Sequence, residues 1–305
     1  MWSHLERGSS PVDWCESNYS ISPVIAEFVN TKTLIKKKSL SFFCFLQVSN
    51  ILFFLFPPVL IHLFQEYAEL VNPAINILWV LLMVVGISSA YFHATLSLVG
   101  KFDVFSILLA YHHLSMNPNG QLLDEVAILW LFMAAFTMFL PRRYFPKCLG
   151  GNRRLLTLYT GFVSLVATTF SVMHPFANAF VLMTLALPAV GMLYIELNRV
   201  KCIRVQRLGL RSVSVCFLAM FCWAIDRLFC DTWLSLNFPY LHGVWHILIF
   251  IASYTALVLF AYFNVSEERP EQKPQLRYWP RNDFEFGIPY IKIRHPGKKN
   301  EDLAI

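Results

Sequence analysis

Apolar residues fall in long blocks separated by short polar stretches, and these blocks dictate the architecture. They cover Pro23–Phe64, Ile75–Leu98, Leu122–Leu140, Leu155–Val172, Ala177–Leu197, Leu208–Phe229 and Leu241–Phe263. A hydrocarbon core about 30 Å thick is crossed by about 20 apolar residues in a helix. With Pro23–Phe64 taken as one span, the pattern predicts an all-α polytopic membrane protein with seven transmembrane helices. Residues 1–22 then form a polar N-terminal segment, 23–263 the helical domain and 264–305 a hydrophilic tail. The first block is irregular, because Lys36-Lys37-Lys38 falls inside it.

Composition agrees with the blocks. Of 305 residues, 56% are hydrophobic and 14% charged, and the mean hydropathy is +0.52, which excludes an ordinary soluble domain. The net charge of +6 is not a nucleic-acid signal, because the basic residues cluster in short loops. Arg142, Arg143, Lys147, Arg153 and Arg154 follow the third block, and Arg199, Lys201, Arg204, Arg207 and Arg211 follow the fifth. His174–Asn178 and Cys230–Tyr240 contain no Lys or Arg. By the positive-inside rule the N-terminus is lumenal and the tail cytosolic; the acidic loop Gln65–Asn72 adds nothing to that assignment. No basic-then-apolar leader precedes the first block, so that span is expected to direct insertion itself.

Against this background the ionisable residues inside the blocks stand out, since such groups are costly in lipid and normally face the bundle interior. His242 and His246 are four residues apart in LHGVWHI, on one helical face. Alone, the pair fits two metal ligands or two histidines satisfied by backbone and water near the interface. His93, Ser89 one turn before it, and Asp124 lie at the same expected membrane depth. Three imidazoles leave a fourth zinc position for water, the layout of a catalytic site. Asp124 can then act as general base and acid, and Ser89 can donate to a developing oxyanion. The alternatives are a first-turn carboxylate favoured by the helix dipole for Asp124 and a small packing residue for Ser89.

The N-terminal segment offers hard oxygen ligands in Asp13, Glu16, Asn18 and the Trp14 carbonyl, with Glu27 further on. Such a set suits Ca2+, and a solvated acidic turn is the other reading. Asn18-Tyr19-Ser20 is a lumenal glycosylation sequon, which a buried ligand role for Asn18 would silence. Asn264-Val265-Ser266 is expected to be silent on the cytosolic side. Seven scattered cysteines do not make a disulfide scaffold.

The motifs VDWCESNYS, IAEF, GISSAYFHATL, LLDE, AIDRLFCD and FPYLHGVWHIL together resemble the alkaline ceramidase family. LPRRY, SLNFPYLH and YWPRN look most like its Golgi-type branch. The resemblance implies seven membrane helices, Golgi residence and hydrolysis of ceramide within the membrane to sphingosine and fatty acid. It implies zinc on His93, His242 and His246, with Ser89 and Asp124 catalytic. It also implies calcium on Asp13, Trp14, Glu16, Asn18 and Glu27, and a disulfide between Cys15 and Cys230. No obligate protein partner is implied.

Two segments depart from the family pattern. Lys32–Gln47 interrupts the first span and Lys101–Gly120 separates LVG from QLLDE. Gly100-Lys101-Phe102 can be encoded with a splice-donor consensus, and Ser41–Gln47 as a pyrimidine tract ending in CAG, so retained intron sequence is one explanation. The first insertion is expected to push Glu27 away from the leader. The competing functional readings are a seven-helix lipid receptor or sensor with structural zinc, and an inactive insertion-bearing isoform.

Overall fold

A computed structural model of the chain describes residues 14–18, 26–27, 50–95, 120–173 and 178–294. Among these residues the elements are α1 (Leu52–Leu63), α2 (Gln65–Leu70), α3 (Ile75–Thr95), α4 (Gly120–Phe139), α5 (Arg153–Met173), α6 (Asn178–Arg199), α7 (Ile203–Leu228), α8 (Cys230–Ser235), α9 (Leu241–Glu268), β1 (Gln275–Trp279) and β2 (Ile288–Lys292). Helices thus cover every apolar block that lies within the described residues. α3, α4, α7 and α9 are both long and apolar enough to cross a membrane. Of the expected first span residues 26–27 and 50–64 are described, and among them the 12-residue α1 is the helix. Lys32–Gln47, and Lys101–Gly120 except its last residue, lie outside the described residues.

Local chemistry sets the helix ends. Asn152 Oδ1 accepts the backbone N–H groups of Arg154 (2.9 Å) and Leu155 (3.4 Å), an N-cap for α5. Arg153 donates to the carbonyls of Thr137 (3.0 Å), Met138 (2.7 Å) and Leu140 (3.1 Å), which the end of α4 leaves without helical partners. An arginine that signals topology in the sequence therefore also terminates a helix.

Between membrane helices, packing and not water exclusion supplies the contact energy, and small residues let backbones approach. Gly86 of α3 shows this: a Cβ there would lie 2.3 Å from Cβ of Phe53 in α1. α7 packs along α9, and α3 along both α4 and α1. Trp79, Tyr67 and Phe250 are fully buried in the shared core.

The tail departs from expectation. α9 continues past Phe263 to Glu268, and the chain then folds as an antiparallel hairpin pairing Leu276 with Ile291. Leu276, Tyr278, Ile291 and Ile293 join the same core as the helices. Arg269 donates to the Leu70 carbonyl (2.7 Å), and the Ile293 N–H to Glu66 Oε2 (3.4 Å), which fastens the hairpin onto α2. The expected hydrophilic tail is, through residue 294, a folded cap on one end of the bundle. Asn264 is buried in α9 and accepts from the Tyr67 hydroxyl (3.2 Å), so its sequon is inaccessible on either side.

Candidate metal centre

α9 opens at Tyr240, which puts His242 and His246 on one face of its first two turns. His93 sits in the last turn of α3. All three rings are buried. His93 Nε2 lies 3.4 Å from His242 Nε2 and 3.1 Å from His246 Nε2. Tetrahedral zinc with ligands at about 2.0–2.1 Å needs nitrogens about 3.3–3.4 Å apart. Two separations are close to that spacing and all three ligand nitrogens lie within 4.8 Å of one another, so the set fits a metal ion.

Residues 26 and 27 explain how His93 is oriented. The end of α3 leaves carbonyls without helical partners, and the N–H groups of Ala26 and Glu27 donate to those of Ala94 and His93, both at 3.0 Å. This docking delivers the Glu27 side chain, fully buried, to the ring: Oε2 lies 2.5 Å from His93 Nδ1. A carboxylate on Nδ1–H presents the Nε2 lone pair to the metal and makes it more basic. Glu27 Oε1 meanwhile accepts the Trp14 N–H at 3.3 Å. Glu27 is therefore not displaced from the leader, contrary to the expectation drawn from the first insertion.

The leader lies over His242. The Trp14 ring stacks on the imidazole with centroids 3.6 Å apart at 14°, and Arg227 sits 5.2 Å above Trp14. A disulfide joins Cys15 to Cys230, and the Cys15 N–H donates to Asp226 Oδ2 at 3.4 Å. Glu16 is buried and Asn18 exposed, so burial does not silence the Asn18 sequon. Burial and the Glu16 carboxylate together push the Tyr240 hydroxyl up from its ordinary pKa. Asp13 lies outside the described residues.

Ser89 is buried one turn below His93 and accepts from Asn50 Nδ2 at 3.5 Å. Asp124 is half-buried near the start of α4, the helix packed on α3, and stands outside the three-histidine cluster.

The family profile described as Ceramidase matches residues 6–110 and 101–292. The alkaline ceramidase of Drosophila melanogaster is 54% identical over 297 residues, covering 97% of this chain and 92% of its own. Alkaline ceramidase 1 of Homo sapiens is 36% identical over 290 residues, covering 95% and 96%. The alkaline ceramidase of Caenorhabditis elegans is 27% identical over 299 residues, covering 96% of each. The chain belongs to the ceramidase family.

In this ceramidase, sequence reasoning assigned no separate role to three groups at the site. Asp226 is fully buried in the apolar α7, and a carboxylate inside an apolar block was a signal open to use. Asn50 reaches Ser89 from the other end of the first block. The Trp14 ring, as distinct from its carbonyl, left no trace in spacing or composition.

Proposed function

We propose that this ceramidase-family chain hydrolyses the amide bond of ceramide to sphingosine and a free fatty acid, with zinc held by His93, His242 and His246. The observation that carries the metal is the convergence of the three Nε2 atoms, with Glu27 fixing the His93 tautomer. When bound, zinc supplies Lewis acidity and an activated water near neutral pH.

The remaining work falls to the chain. Asp124 takes a proton from the attacking water and returns it to nitrogen as the C–N bond breaks, so sphingosine leaves as an amine. Ser89 donates a hydrogen bond to the carbonyl oxygen as it gains charge, with Asn50 Nδ2 donating to the hydroxyl oxygen and leaving its proton free to point at substrate. Calcium on Asp13, the Trp14 carbonyl, Glu16, Asn18 and Glu27 would order the leader that covers His242. Its support is the placement of buried Glu16 and Glu27 beside Trp14.

Seven membrane crossings, a lumenal N-terminus, a cytosolic C-terminus and Golgi residence complete the reading. It is supported by the seven apolar blocks, by the loop charges, and by a disulfide of the kind that persists in oxidising compartments. The test is turnover of a labelled ceramide by the purified full chain. Activity lost to a chelator and restored by zinc is expected. Undiminished activity in metal-stripped protein would refute the zinc assignment.

A further inference from the structure

The end of the bundle opposite the histidines carries a second concave feature. A cavity of about 340 Å3 opens between the first turn of α7, α9 and the hairpin, lined among others by Cys202, Arg204, Tyr262, Gln275, Arg277 and Asn282. Its lining, among the described residues, contains two guanidinium groups and no carboxylate. The segments that build it, residues 203–211 and 275–286, hold five arginines (204, 207, 211, 277 and 281) against Asp283 and Glu285. Glu285 is engaged by Arg204 (3.5 Å), Arg207 (3.1 Å) and Arg211 (3.2 Å), and Asp283 by Arg281 (3.1 Å). Arg204 is held in place by the Asn282 carbonyl (2.5 Å), while the one hydrogen bond shown for Arg277 is to Gln275 Oε1 (2.9 Å). Arg277 retains most of its N–H donors for an anion, and Arg204 those of Nη1, since its Nε faces Glu285 and its Nη2 is spent on Asn282.

Its surroundings give the depth. Leu210, Phe217 and Phe221 form an exposed apolar stripe along α7, the surface a membrane helix turns to lipid. At the cavity end of that stripe the hairpin loop exposes Trp279, Phe284 and Phe286, the last to 81%. The Arg211 guanidinium lies 5.3 Å from the Phe286 ring, so the aromatic tip adjoins the stripe at its charged end. Aromatic side chains beside arginines mark the headgroup level of a bilayer, and basic pockets there bind anionic headgroups.

We propose that the cleft between the hairpin and the start of α7 binds the phosphate headgroup of an anionic membrane lipid, with the aromatic hairpin tip seated in the same leaflet. Arg277 and Arg204 contact the phosphate, and Trp279, Phe284 and Phe286 lie against the upper acyl chains. The hairpin is in this reading a lipid-reading element, separate from the hydrolytic centre.

The experiment titrates phosphatidic acid, phosphatidylcholine of the same chains, and inorganic phosphate into the purified full chain in neutral detergent, with binding read by native mass spectrometry. Phosphatidic acid should bind best. Arg277→Gln should weaken it about five-fold, the worth of one basic residue at a membrane surface. Gln275→Glu, which adds a carboxylate to the lining without touching the core, should weaken it further. Equal binding by the parent and both variants would overturn the site. Equal binding of phosphatidylcholine would reduce it to apolar contact, and equal binding of inorganic phosphate would make the ligand a soluble anion; either overturns the lipid headgroup. Tryptophan emission lost in Trp279→Phe should be the part quenched by lipids brominated near the headgroup. Quenching of that part by aqueous iodide alone would remove the tip from the leaflet.

Discussion

Glu27 Oε2 stands 2.5 Å from His93 Nδ1, and the backbone N–H of the same glutamate donates to the His93 carbonyl. One residue thus fixes both the ring and the backbone of a candidate metal ligand. Glu27→Gln keeps the volume and removes the charge that makes Nε2 more basic. Zinc affinity should fall about 10–100-fold, the usual cost of losing such a partner. Zinc titration against a competing chelator measures it; an unchanged affinity would leave Glu27 as packing alone.

His93→Ala, His242→Ala and His246→Ala each leave two of the three converging nitrogens. Zinc content and ceramide turnover should be lost together in all three proteins, because in the proposed reading one ion would serve as Lewis acid and water activator. A variant with full zinc and full turnover would remove its histidine from the ligand set.

Asp124→Asn should separate the two readouts. Asp124 stands outside the histidine cluster, so zinc content should stay at the parent level. Turnover should drop by about 10²–10⁴-fold, the usual contribution of a positioned acid–base group. Loss of zinc in this variant would make Asp124 a ligand, and a parental rate would make it a first-turn carboxylate.

Asp226→Asn removes the charge that accepts the Cys15 N–H inside the bundle. Asn can still accept through Oδ1, so what is lost is the difference between a charged and a neutral hydrogen bond, about 1 kcal/mol, and local opening of the leader should become about five-fold more frequent. Hydrogen–deuterium exchange of the peptide covering Trp14–Asn18 reads this directly. Exchange at the parental rate would show that the disulfide alone holds the leader.

Deleting Lys32–Gln47 tests the first insertion. Glu27 is buried against His93 and Trp14 in the chain that carries this segment, so the full chain and the deletion should bind zinc equally. Zinc in the deleted form only would restore the view that the insertion displaces Glu27.

The helical blocks and the three histidines were legible for one reason. Lipid demands long uninterrupted apolar runs, so His93, His242 and His246 at matching ends of such runs are conspicuous. The Glu27–His93 contact was not legible, because it depends on two N–H groups finding the open carbonyls of a helix 66 residues away. The hairpin escaped because QLRYW and IPYIK are five-residue strands in a polar stretch, where alternation is too short to compete with a span-length signal. Trp14 was noticed for its carbonyl, while its ring does the stacking on His242.

The bond between Cys15 and Cys230 has a consequence for the order of assembly. Its cysteines are 215 residues apart, and a chain made from its N-terminus exposes the first long before the second. Cys15 cannot form this bond until the connection after α7 has been made. His242 follows in α9, so Trp14 can stack on its ring only after that helix has been made as well. The strap over the metal centre is therefore among the last parts of the molecule to close. A compartment too reducing to form that bond would leave the strap over the three histidines held only by its hydrogen bonds to Glu27 and Asp226 and by the Trp14 stack.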